Sequence, residues 1–280
     1  MQCLFVSDLH GYQERYNLLF NAVQKDEPDG VFLGGDILPT GLGINIDIKK
    51  FLTEFFIAKV EKLKKSGIKT RFFTILGNDD PRIYEDILIE AEKKSIIEYV
   101  HNKTVEFGNL FVTGYSYIPP TPFQLKDWEK YDVSRYVDVG AISPEEGIRS
   151  KKIPKEKIRW ETIADDLKSL SKNAPVEKTI FLFHAPPYKS KLDRAALDGK
   201  KIDHVPFDVH VGSIAIQRFI KKEQPFLTLH GHVHESASLT GSWKEKIGKT
   251  YSFGAAHDGA ELSLVKFNTN NLKNSERILL

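Results

Sequence analysis

Cysteine is nearly missing from this chain: Cys3 stands alone among 280 residues. One thiol cannot form an internal disulfide or a cysteine-built zinc site, and a reducing cytoplasm is the plain expectation. Long apolar runs are missing too. None approaches the roughly 20 residues that span a bilayer. Met1–Ser7 has no basic region ahead of it and reads as a strand, so no signal peptide is expected. No excess of one charge is present either: 40 basic against 38 acidic residues leave a net +2. That balance argues against long nucleic acids or membrane surfaces as partners. Repeats and low-complexity tracts are absent. What remains is 41% apolar and 28% charged, the make-up of a soluble globular protein with a sizeable core. We read residues 1–280 as a single domain.

The first half alternates between two periodicities. Cys3–Ser7, Val31–Gly34 and Arg71–Leu76 are short apolar runs that read as strands. Between them, Tyr12, Tyr16, Leu19, Phe20 and Val23 share one helical face, and Asp47 suits the cap of a long helix that Gly67 ends. Pro81 suits the first turn of another helix, running to about Lys94. This β-α-β-α-β-α order predicts an α/β fold with a parallel sheet. Short strands are expected at 96–100, 105–107 and 110–115. Residues 116–154, rich in proline and aromatics, lack clean periodicity and read as an insertion or surface excursion. It offers either a lid or a contact between copies in a homo-oligomer. Beyond it, we expect a helix over 155–172, a strand at Thr179–Phe183, a helix capped by Ser213, a strand at Phe226–Leu229 and β-hairpins from Ser236 onward.

Five polar motifs each follow an apolar run. They are Asp8-Leu9-His10, Gly34-Gly35-Asp36, Gly77-Asn78-Asp79-Asp80, His184 and Gly231-His232-Val233-His234. In open α/β sheets, ligands bind beyond the carboxyl ends of the strands. Five strand ends can thus bring Asp8, His10, Asp36, Asn78, His184, His232 and His234 into one crevice. His232 and His234 are two apart, so an extended backbone points both one way. A strand-end Asp is ordinarily a turn or cap residue, and a lone His there is ordinarily structural. Seven such residues together are not explained in that way. The mixed nitrogen and oxygen donors suit Mn, Fe, Zn, Co or Ni rather than Ca or Mg. Seven donors are too many for one ion and suit two. Two divalent ions against Asp8 and Asp36 leave a cationic centre, which suits a phosphate substrate.

The order D-x-H, G-D, G-N-x-D, H, G-H-x-H resembles the calcineurin-like metallophosphoesterase superfamily. His184-Ala-Pro-Pro-Tyr188, Leu192-Asp193-Arg194 and His210-Val-Gly-Ser213 are similar to a prokaryotic, Icc-related branch of it. The resemblance implies a four-layer αββα sandwich with two mixed β-sheets. It implies one ion on Asp8, His10, Asp36 and His234, and another on Asn78, His184 and His232 with Asp36 bridging. It implies a phosphoesterase, in our reading a phosphodiesterase, working by attack of a metal-bridging hydroxide on a small phosphate ester. The rivals are a phosphomonoesterase or nucleotide pyrophosphatase, and a non-catalytic metal-binding scaffold with the same fold.

One position departs from the pattern. The family commonly has His after the Asn, held to help protonate the leaving group, and here that position is Asp79. A carboxyl group beside two cations ionises and cannot serve as a general acid. Asp79 is therefore weighed as a catalytic residue against a turn or helix-cap role. His210 or His204 is weighed as another source of the proton. Segment 186–213 follows His184 and could overlie the crevice. In it, Arg194 and His210, with Asn78, are the expected substrate contacts, the first two against plain ion pairing. Gly212-Ser213 at a helix start would offer free N–H groups to an anion. The basic stretch Arg149–Arg159 reads as a solvated face.

Overall fold

The computed structural model describes residues 1–40 and 46–280. β1 (Gln2–Val6) leads into α1 (Gln13–Asp26), then β2 (Gly30–Gly34). α2 (Ile48–Lys50) starts where the Asp47 side chain accepts a hydrogen bond from the Lys50 N–H. It runs through a π-helical stretch (Phe51–Ile57) into α3 (Ala58–Lys65). β3 (Arg71–Ile75), α4 (Glu85–Lys93) and β4 (Glu98–Tyr99) follow. These four strands lie parallel in the order β1-β2-β3-β4.

The chain then starts a second sheet with β5 (Thr104–Phe107) and β6 (Leu110–Tyr115). After a long irregular stretch come α5 (Lys155–Trp160), α6 (Ile163–Leu170) and β7 (Thr179–Phe183). A two-residue hairpin, β8 (Lys201–Ile202) and β9 (Val205–Pro206), precedes α7 (Ile214–Glu223) and β10 (Leu227–His230). α8 (Ser236–Thr240), β11 (Lys244–Ile247) and β12 (Thr250–Gly254) complete this sheet, in the order β11-β12-β10-β7-β6-β5. Finally β13 (Ser263–Asn268) and β14 (Glu276–Leu279) return to the first sheet, antiparallel beside β1. Each sheet thus has six strands and mixes parallel with antiparallel pairs.

Side-chain alternation explains why the sheets stack. In β1, Cys3 and Phe5 face one way and Leu4 and Val6 the other; in β2, Phe32 opposes Val31 and Leu33. Cys3, Phe5, Phe32 and Phe73 meet Val112, Ile180, Leu182 and Phe253 of the second sheet in one buried cluster. Phe32 stacks on Phe73 at 5.0 Å between ring centroids. Leu4, Val6, Val31 and Leu33 instead pack with helix residues such as Tyr16, Leu19, Phe56 and Val60. Phe181 and Phe183 likewise pack with Ile163, Leu167 and Phe219 of α6 and α7. A strand buried on both faces has no polar side to show, so these runs read as continuously apolar. The layers are helix, sheet, sheet, helix, as expected from the resemblance.

Three local readings differ from the structure. The helix over 155–172 is two, broken at Glu161, because Thr162 turns extended and caps α6 by accepting from the Asp165 N–H. The tail is not hairpins throughout: Ser236–Thr240 is a short helix ended by Gly241 in the left-handed region. Residues 116–154 are a surface excursion only in their second part: 134–154 are mostly exposed or half-buried, whereas 116–121 and 126–132 are largely buried. Trp128, Lys126, Asp127 and Glu129 are fully or almost fully buried, and Lys126 and Glu129 pair at 2.5 Å out of solvent. Tyr117, Trp128 and Tyr131 are buried against partners far away in sequence, while Phe123 and Tyr136 stay exposed, a division that the missing periodicity could not show.

Trp128 makes this burial matter. Its indole N–H donates to the Asp80 carbonyl at 2.8 Å, and its ring packs on His101 and Tyr117. Trp128→Ala is expected to cost about 3–5 kcal/mol of stability, the range for large aromatic truncation in a core. Urea unfolding of the metal-free protein checks this; a loss under about 1 kcal/mol would mean the segment is not part of the core.

Candidate metal centre

All five motifs sit at the carboxyl ends of adjacent parallel strands. Asp8 and His10 follow β1, Asp36 follows β2 and Asn78 follows β3, while His184 follows β7, and His232 and His234 follow β10. The two sheets therefore contribute from opposite sides. Asp8, His10 and His234 bring one donor atom each within 4.8 Å of one another; Asp36, His184 and His232 do the same. His10, Asp36 and Asp79 form a third such group, which joins the first two. Asn78 Oδ1 lies 3.0 Å from His184 Nε2. The structure thus brings together all seven residues singled out from the sequence, with Asp36 between the two halves.

The backbone is bent to do this. Asp8 (φ 57°), His10 (φ 46°), Asp36 (φ 51°) and His232 (φ 76°) all lie in the left-handed region. Side chains rarely adopt it, and such strain gathers at functional sites. Hydrogen bonds hold these turns open. Asp8 N–H donates to the Gly35 carbonyl at 3.0 Å, and His10 N–H to the Asp36 carbonyl at 2.8 Å. The Arg15 guanidinium braces the Asp8 carbonyl at 2.9 Å. Room is equally tight. A Cβ at Gly77 would collide with the Asp36 carboxylate, and one at Gly231 with the Ser7 hydroxyl.

Orientation is set by the atoms that face away from the centre. His184 Nδ1–H donates to the Gly34 carbonyl at 2.8 Å, reaching from the second sheet to the first. That fixes the tautomer and aims Nε2 at Asp36, 3.2 Å away. His10 and His234 face each other Nε2 to Nε2 at 3.2 Å, and His234 Nε2 is 3.3 Å from Asp8 Oδ1. Two ring nitrogens aimed at one another beside a buried carboxylate suit a shared cation.

Electrostatics agree with a site built for positive charge. Burial pushes the Asp8 carboxyl up, but the hydrogen bond from His234 and the neighbouring imidazoles hold it well below the usual carboxylate range. Asp36 is lowered against its burial by His184. Burial alone would lower His184; Asp36 beside it pushes it up to about 10. His234 is likewise raised, against its burial, to about 9 by Asp8. His232, buried and beside the charge of His184, falls to about 3. In the metal-free protein, protons on His184 and His234 therefore stand where cations would neutralise the two carboxylates.

Asp80, the last residue of its motif, caps no helix and has another task. Fully buried, it accepts from the N–H groups of Gly77, Ile37 and Leu38 at 2.9, 3.1 and 2.8 Å. It ties the β2 and β3 turns together. Asp79 does not cap a helix either. Its carboxylate lies 3.7 Å from His10 Nδ1 and accepts from Asn78 Nδ2 at 2.8 Å, and its N–H donates to Asp36 Oδ1. Burial and the charge of Asp36 push its carboxyl up to about 6 in the metal-free protein.

The expected substrate contacts divide. His210 Nδ1 pairs with the buried Asp193 Oδ1 at 2.8 Å, and His210 lines a cavity that also includes His232. Asp193 stood out in the sequence only as part of a motif, and nothing there showed it would orient a histidine. Arg194 spends its guanidinium within its own loop, on the Ala195 carbonyl and on Asp198 at 2.6 Å. His204 is exposed at the turn of the β8–β9 hairpin. His230 is buried between the Ala185 carbonyl and Thr228. The anion site expected at Gly212-Ser213 is already filled. Asp132 accepts from the Ser213 hydroxyl and from the Ile214 and Ala215 N–H groups at the start of α7.

With this geometry in view, comparison with known proteins is direct. The calcineurin-like phosphoesterase family matches residues 1–236. The chain belongs to that family. Its members are metal-dependent hydrolases of phosphate esters, and this chain is one of them. Among solved structures, a protein of Thermus thermophilus superposes with a TM-score of 0.57 at 17% identity, over 99% of this chain and 98% of that one. A dimetal phosphatase from Danio rerio gives 0.51 at 9% identity, over 95% and 91%. These identities speak to the fold alone. Among curated proteins, none matches the chain. No described helix is long and apolar enough to cross a membrane.

Metal must displace the protons on His184 and His234, so binding releases them. Because both groups are raised in the metal-free protein, the apparent affinity for Mn²⁺ should rise steadily from about pH 6 to about pH 8. Titration calorimetry in two buffers of different ionisation enthalpy checks this. A pH-independent affinity with no proton release would contradict the ion-pair picture.

Proposed function

We propose that this phosphoesterase holds two divalent transition-metal ions and acts as a phosphodiesterase on a small phosphate ester. The observation that supports two ions is the pair of donor groups, Asp8-His10-His234 and Asp36-His184-His232, with Asp36 close to both. Their donors fit Mn, Fe, Zn, Co or Ni. One ion would rest on Asp8, His10, Asp36 and His234, the other on Asp36, Asn78, His184 and His232. Bound there, the pair supplies Lewis acidity and a nucleophile at neutral pH.

The protein's own residues do the rest. A water oxygen attacks phosphorus, one ester P–O bond breaks, and the alcohol leaves with a proton. The products are an alcohol and a phosphomonoester. Asp193 accepts from His210 Nδ1–H, so Nε2 remains free to meet the substrate. His210 would thus contact the ester through Nε2 and, when Nε2 also carries a proton, hand that proton to the departing alcohol, the proton shed by the attacking water replacing it. Asn78 donates to Asp79, which keeps its amide oxygen turned toward His184. Asn78 is also our candidate for contact with a phosphoryl oxygen. Arg194 is the least favoured substrate contact, since Asp198 already pairs with it.

Asp79 favours a diester. A carboxylate at the centre repels an incoming phosphate in proportion to its charge. A diester carries one negative charge and a monoester close to two, so the monoester is penalised more. A phosphomonoesterase or nucleotide pyrophosphatase runs against that penalty. A non-catalytic metal-binding scaffold would use the same donor cluster, so turnover is what separates it from a hydrolase. The single buried Cys3 fits a reducing, cytoplasmic setting.

Turnover of bis-p-nitrophenyl phosphate with Mn²⁺, alongside metal analysis, tests the reading. Asp36→Asn is expected to abolish turnover and reduce bound metal; full activity in that variant would sink the two-ion assignment. Bound metal without turnover of any mono- or diester would favour the scaffold. Asp79→Ala is expected to keep its metal and lose at most ~10²-fold in rate. It should also narrow the preference for diester over p-nitrophenyl phosphate. A larger loss with intact metal would make Asp79 part of the chemistry.

A further inference from the structure

A cavity of about 450 Å³ opens beside the donor cluster. One wall comes from the stretch Pro119–Ala141 and the other from the loop between Tyr188 and Gly212. The walls touch where Gly140 lies against the Phe207 ring. His232, one of the seven donors, lines it together with Val233, so the cavity adjoins the candidate metal centre. His210 lines it too.

Its surface is chemically one-sided. Pro120, Phe123, Tyr136, Val139 and Phe207 give it apolar and aromatic faces. Phe123 and Tyr136 are 56% and 69% exposed, far more than the large aromatics that fill the core. Its charged lining is Asp132, Asp138, Asp208 and Glu235 against Lys200. Asp132 is already engaged at the start of α7 and Asp208 by the Tyr188 hydroxyl. An additional anion entering here meets carboxylates and finds one lysine. A flat uncharged group meets rings and aliphatic carbon. The volume lies in the range of sites that enclose small organic ligands.

We propose that this cavity holds one alcohol portion of the ester and selects substrates in which that portion is a bulky, uncharged aromatic or apolar group. This rests on the hydrolase reading for the position of phosphorus, at the donor cluster. The cavity then receives whatever the phosphorus carries on its His232 side. Esters bearing a second phosphate or another anion at that place are disfavoured.

Binding of non-hydrolysable ligands to the Mn²⁺-loaded protein tests this without turnover. Calorimetry would compare methylphosphonate, phenylphosphonate and (4-carboxyphenyl)phosphonate. Phenylphosphonate is expected to bind at least about tenfold tighter than methylphosphonate, as burial of a ring predicts, and the carboxylated ring to lose most of that gain. Ala141→Trp, which fills the cavity, should remove the difference between methyl and phenyl. Val139→Asp, at an exposed position that leaves the fold untouched, should shrink it. Equal affinities for the three ligands in the unaltered protein would overturn the inference. A phenyl preference without turnover of any ester would leave the cavity assignment standing and sink the hydrolase reading, so the two failures are distinct.

Discussion

Two buried carboxylates, Asp8 and Asp36, end neighbouring parallel strands with almost no water to share their charge. Left alone they would repel each other and resist ionising. Everything around them supplies positive charge or donors. His184 and His234 pair with them, the His232 N–H donates to Asp8, and the Asp79 N–H to Asp36. The strained turns at Asp8, His10, Asp36 and His232 persist because this network over-determines them. Divalent cations would satisfy the same demand more fully than protons do, and at a fixed place.

Holding the turns in register is the task of residues that never face the centre. Asp80 gathers three N–H groups from two loops, and Trp128 in turn holds the Asp80 carbonyl. Burial and Asp36 push the Asp80 carboxyl up to about 8. Its three N–H partners work against that rise. The irregular segment 116–154 thus has two duties. Through Trp128 it buttresses the donor cluster, and through Asp132 it caps α7, whose preceding loop carries His210. It also supplies one wall of the adjoining cavity.

Much of this was legible in the sequence, for identifiable reasons. Strand ends followed by Asp, Asn and His stood out because apolar runs stop abruptly there, and Asp47 and Ser213 announced helix starts by local chemistry alone. The two-sheet arrangement was not readable from periodicity and came from the resemblance. What stayed hidden depends on distant partners. Nothing near Trp128 in sequence names Asp80. Asp132 lies 82 positions from Ile214, so the α7 start looked open to an outside anion when it was already filled. Asp193 and His210 likewise meet across a loop whose path no local pattern dictates.

The donor cluster draws on both sheets, and His184 reaches across to the Gly34 carbonyl. An ion held between Asp36 and His184 is therefore a cross-link between layers that otherwise meet mainly through greasy contact. Its binding energy would add to the cohesion of the folded state, which alone presents the complete cluster. Chelation would then do more than silence chemistry: it would loosen the seam between the sheets. Supply of metal during synthesis would decide how firmly the two halves of the molecule close on each other.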